Sequence, residues 1–139
     1  MIGGGYAVHA GLVAALIAYA SPAIAGSPCD GVDRSLTSDQ KAAWQPIVAR
    51  QLKAPKSVVL QAFRFAGWSI VYVDTGVSDE TFMFFKGDPH QNRYVTLWGG
   101  AAQIDEEKAM ETWTRKNAPG VPSTLARCFA YHVTRDRDM

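Results

Sequence analysis

Charge is missing from the start of this chain: no Lys, Arg, Asp or Glu occurs before Asp30 in a sequence of 139 residues. Within that uncharged stretch, residues 11–20 (GLVAALIAYA) are apolar but too few to cross a bilayer as a stable helix. Ser21-Pro22 breaks the run, and Ala23-Ile24-Ala25 then fits the small-x-small pattern cut by signal peptidase. Residues 1–25 are therefore expected to be a cleavable secretion signal. The leader departs from the usual pattern in having no Lys or Arg, so the terminal amine and His9 are its only sources of positive charge. No lipobox precedes Cys29, which argues against a lipoprotein. No second long apolar run follows, so no membrane association is expected once the signal is removed.

Cysteine is equally scarce. Cys29 and Cys128 are the only two, and an exported chain with an even count usually pairs them. The pairing closes a loop of about 100 residues, worth about 4–5 kcal/mol in the chain-entropy account. It also removes both sulfurs as nucleophiles or metal ligands.

Catalytic signatures are absent too. There is no Gly-x-Ser-x-Gly, no His-Glu-x-x-His, no phosphate loop and no dinucleotide fingerprint. Beyond the signal only His90 and His132 remain, far apart in sequence and without further ligands at a diagnostic spacing. A zinc site needs three or four. No metal and no cofactor is expected. Net charge is +1 over the chain, so nothing calls for a nucleic-acid partner.

What is present reads as one α+β domain over residues 26–134, preceded by the signal and followed by a frayed tail over residues 135–139. Thr37 and Gln40 have capping-box spacing, and Trp44, Ile47, Val48 and Leu52 recur on one helical face with Arg50 and Lys53 opposite. Pro46 falls on the polar side. Four segments rich in β-branched and aromatic residues follow: Val58–Phe65, Trp68–Asp74, Thr81–Lys86 and residues 93–98. The breaks between them are short, which favours an antiparallel meander over parallel crossovers. A second helix starts near Asp105, its acids early and Arg115 and Lys116 late, as the helix dipole prefers. Ala102, Ala109, Met110 and Trp113 are expected on its inner face. Pro122 suits the first position of a final short helix. The order is α-β-β-β-β-α-α, a four-stranded antiparallel sheet with an N-terminal helix and two C-terminal helices.

Two features bear on function. Lys41, Arg50, Lys53, Lys56 and Arg64 occur with no acid between Asp39 and Asp74, a basic stretch able to steer an acidic partner. The strands also lack a polar face. Phe82 and Phe84 oppose Met83 and Phe85, and Tyr94 and Trp98 oppose Val95 and Leu97. Either helices cover both sides of the sheet or one side is an aromatic contact surface.

The leading expectation is a small exported binding protein, periplasmic or secreted, that occupies another protein as an inhibitor or immunity protein does. Its contact residues would be Asp79, Phe82, Phe84, Asp88, His90 and Tyr94, on two loops and the aromatic face. One alternative is a small hydrolase or lyase using His90 or His132 with a carboxylate. Another is a structural or assembly subunit of the cell envelope, self-associating through the sheet aromatics.

Overall fold

A computed structural model describes residues 1, 3–5, 11, 15–21 and 26–137. The described residues before position 26 are exposed and belong to no helix or strand. The expected cleavage motif at residues 23–25, most of the apolar run's start and the last two residues of the tail lie outside the described residues. No helix among the described residues is long and apolar enough to cross a membrane.

The elements are α1 (Ser38–Leu52), β1 (Val58–Phe65), β2 (Trp68–Asp74), β3 (Thr81–Lys86), β4 (Thr96–Trp98), a short 3-10 turn (Ile104–Glu106), α2 (Glu107–Asn117) and α3 (Ser123–Arg135). The strands form one antiparallel sheet in the order β1-β2-β3-β4, the expected meander. The capping box forms as the spacing predicts: the Thr37 hydroxyl accepts Gln40 N–H at 3.1 Å, and Gln40 Oε1 accepts Thr37 N–H at 2.9 Å. Pro46 is exposed on the polar side, and α1 continues through it. The β1–β2 hairpin closes on Ala66-Gly67, both at positive φ (47° and 79°), the geometry whose twist matches paired strands.

Helices cover both faces of the sheet. On one face Phe63, Trp68, Ile70, Tyr72, Phe82 and Phe84 pack with Leu125, Phe129 and Val133 of α3 and Met110 of α2. On the other, Val59, Ala62, Val71, Val73, Met83 and Phe85 pack with Trp44 and Val48 of α1. The central strands β2 and β3 need no polar side because their residues are buried on both faces, while β1 keeps Val58 and Leu60 exposed. Phe82 and Phe84 are fully buried. Phe82 stacks on Tyr72 at 4.1 Å and meets Phe129 edge-on at 5.2 Å. The aromatic contact surface entertained from sequence is the interior of the molecule.

The disulfide forms between Cys29 and Cys128, tying the segment ahead of α1 to α3. That segment also guards an edge of the sheet. Asp33 exchanges two backbone hydrogen bonds with Arg64, each 2.8 Å, and Gln45 Oε1 accepts the outward Val59 N–H at 3.1 Å. A bulge at Leu60 interrupts the same edge. Each device blunts β1 against unwanted pairing.

Three expectations change. The fourth strand begins at Thr96 rather than Arg93, because the Tyr94 N–H donates to Gln51 Oε1 on α1 instead of to β3. Tyr94 consequently packs on the α1 side with Leu97, not with Trp98. Ala109 is exposed, since the inner face of α2 runs through Met110, Trp113 and Thr114. Finally, Arg135 belongs to α3 and pairs with Glu107 at 2.7 Å. Arg137 donates to the Gly100 carbonyl at 2.8 Å and lies over the Trp98 ring. Arginine stems and a cation–π contact anchor the chain as far as residue 137.

Candidate functional site

A cleft of about 490 Å³ lies between the C-terminal half of α1 and the loop joining β3 to β4. Arg50, Gln51 and Lys53 form one wall; residues 89–93 form the other. The loop is held by its own short-range bonds. Asp88 Oδ1 accepts His90 N–H at 2.7 Å, and Asn92 Nδ2 donates to the Asp88 carbonyl at 3.0 Å. Gly87, at φ 103°, starts the loop, and a Cβ there would collide with the Asn92 amide. Pro89 is buried, so the loop is seated rather than suspended. Gln51 then fastens it to α1, with Nε2 donating to the Asn92 carbonyl at 2.9 Å and Oε1 taking Tyr94 N–H at 3.0 Å.

The cleft is cationic. Arg50, Lys53 and Arg93 are exposed and line it, and among the described residues no Asp or Glu does. None of the three forms an ion pair among the described residues. Half of this site is the basic stretch visible in sequence. The other half, Arg93, comes from a loop some forty residues later, and only the fold brings it near. Arg50, in the last turn of α1, also complements the helix dipole.

Lys53 has an unusual backbone. It caps α1 in the left-handed region (φ 53°, ψ 37°), where glycine is the usual choice. A side chain kept at that cost is a mark of sites where the side chain matters. Lys53 lines both this cleft and a neighbouring pocket of about 360 Å³ that contains Asp79, Thr75 and Ser78.

A second groove of about 410 Å³ adjoins at His90, which lines both. Its other walls include Asp39, Ala43, Trp44, Arg64 and Asp88. Arg64 is committed elsewhere: its guanidinium meets Asp33 Oδ2 at 3.2 Å and the Ser35 carbonyl at 2.6 Å. The Asp33 carboxyl is held below its ordinary pKa, first by the Ser35 hydroxyl and Ser35 N–H and then by Arg64.

The expected contact residues are thus divided. Asp88 and His90 meet in the grooves beside α1, and Asp79 lies in the pocket across Lys53. Tyr94 is half-buried against the α1-side core. Phe82 and Phe84 are interior and reach no surface. His132 is buried on α3, edge-on to Phe63 at 4.8 Å, on the opposite side of the sheet from α1. The two histidines do not converge, and Asp88 meets the backbone N–H of His90 rather than its ring. Among the described residues no group of three or more His, Cys, Asp or Glu is placed to hold a metal ion.

No protein-family model, no curated protein and no solved structure matches this chain.

Proposed function

We propose that the protein is a small exported binding protein, periplasmic or secreted, that occupies a partner protein in the manner of an inhibitor or immunity protein. Its contact site is the cleft between α1 and the β3–β4 loop. One observation carries this reading. Arg50, Lys53 and Arg93 converge on a concave surface that no carboxylate among the described residues lines, and Lys53 does so from a backbone conformation that disfavours a side chain. The disulfide fits an oxidising compartment. A buried sheet on both faces removes the aromatic surface on which self-association would have rested.

The test is site-directed crosslinking in the cells that make the protein. A photo-reactive residue is placed at position 90, and a control at position 112 on the exposed side of α2. The expected result is one stoichiometric crosslinked protein from position 90 and none from position 112. Equal crosslinking from both positions, or none from either, overturns the reading.

A further inference from the structure

The two grooves that meet at His90 carry opposite free charge. On one side stand Arg50, Lys53 and Arg93, unpaired among the described residues. On the other stand Asp39 and Asp88 over an apolar floor of Ala43 and Trp44. The one cation on that second side among the described residues, Arg64, has its charge matched by Asp33 and lies over the Trp44 ring. Asp39 and Asp88 form no ion pair among the described residues. The surface is therefore a dipole with His90 at its centre.

Resting on the occupancy reading above, we infer that the partner segment held here changes sign along its length. It is acidic where it meets Arg50, Lys53 and Arg93, and carries a Lys or Arg where it meets Asp39 and Asp88. Complementary potentials set register and reject wrong partners more than they add raw affinity. A uniformly acidic segment satisfies the first groove and is repelled from the second. A polyanionic chain that spans both grooves does the same, which disfavours it as the occupant, and a single phosphate leaves the second groove unused. The adjoining volumes, about 490 and 410 Å³, suit several side chains of an extended peptide rather than a single small ion.

The test is fluorescence anisotropy with the disulfide-bonded protein lacking its leader. The probes are three synthetic peptides: all glutamate, all lysine, and glutamates followed by lysines. Inorganic phosphate serves as a competitor. The mixed peptide is expected to bind at least tenfold tighter than either uniform one, and phosphate is expected to displace it poorly. Asp39→Lys, at an exposed helix-start position, is expected to invert the preference in favour of the all-glutamate peptide. The Arg50→Glu, Arg93→Glu double variant is expected to lose both acidic probes. Circular dichroism confirms that each variant is folded. Equal or tighter binding of the all-glutamate peptide by the unaltered protein overturns the inference, as does efficient displacement by phosphate. No binding of any peptide overturns it too, while a partner crosslinked from position 90 alone would leave the occupancy reading standing.

Discussion

Gln51 bonds the backbone on both sides of Arg93: its Nε2 donates to the Asn92 carbonyl at 2.9 Å and its Oε1 accepts the Tyr94 N–H at 3.0 Å. One side chain on α1 thus sets the position of the opposite wall of the cleft. Gln51→Ala removes both bonds and leaves half-buried backbone groups unsatisfied, a cost of about 1–3 kcal/mol. Amide exchange at Tyr94 is expected to quicken by an order of magnitude or more, while the amides of β2 keep their protection. Unchanged exchange at Tyr94 would show that the loop is held by its own turns alone.

Lys53→Gly separates stability from function. Relief of the left-handed strain at the end of α1 is worth about 1 kcal/mol, partly offset by glycine's freedom in the unfolded chain. The thermal midpoint is expected to rise or hold, and binding through the cleft to weaken. Loss of stability with binding intact would mean that Lys53 serves the fold and not the site.

Phe82→Ala and His90→Ala should act in opposite ways. Phe82 sits at the centre of the α2–α3 side core, ringed by Tyr72, Phe129 and His132. Its truncation should cost about 3–5 kcal/mol in chemical denaturation. His90 is exposed, and its truncation should leave the unfolding free energy within about 0.5 kcal/mol of the parent while reducing crosslinking from the cleft. A large stability loss in His90→Ala would place its ring in the structure of the loop.

The difference between these two residues marks where sequence pattern stops being informative. Alternation showed that Phe82 and Phe84 face away from Met83 and Phe85, because strand period is local. Whether water or a helix meets each face depends on where α1 and α3 come to rest, which is a long-range outcome. The same limit appears at β4. Residues 93–95 have strand composition, yet the Tyr94 N–H is claimed by a glutamine 43 positions earlier. The capping box, the meander order and the cysteine pair were legible because each rests on spacing or on counting. The cleft was half legible: its basic α1 wall stood out as a run without acids, whereas Arg93 and the shared position of His90 needed the fold.

Asp33 gives a pH dependence with a definite sign. Its folded-state pKa is lowered, chiefly by the hydrogen bonds from Ser35 and then by Arg64. The stability it contributes is therefore present above the ordinary carboxylate value of 3.8. It is lost as the pH falls through the lowered folded value. A carboxyl-carbon NMR titration is expected to place Asp33 below the ordinary carboxylate value of 3.8. Asp33→Asn should flatten the acid limb of the stability curve without changing the plateau near neutrality by much, since the site is exposed. A titration midpoint at the ordinary value would remove the carboxylate from the account of this edge.

Reduction of the Cys29–Cys128 bond should act on the whole domain rather than on its ends. The bridge spans 99 positions and encloses α1, the entire sheet and α2. Cutting it releases the unfolded chain from a constraint worth about 4–5 kcal/mol in the loop-entropy account. A domain of this size has about 5–15 kcal/mol in hand, so the loss is a large fraction of the total. The Cys29→Ala, Cys128→Ala variant is expected to unfold at a markedly lower denaturant concentration and with a steeper slope, because the unlinked unfolded chain exposes more surface. Cys128 is fully buried beside Phe129, and alanine fills its space with one atom fewer, so the paired alanines probe the link more cleanly than a reduced thiol pair. If the midpoint stays where it was, the segment that carries Val32 and the Asp33–Arg64 pairing holds the chain end by itself, and the bridge adds only resistance to local fraying.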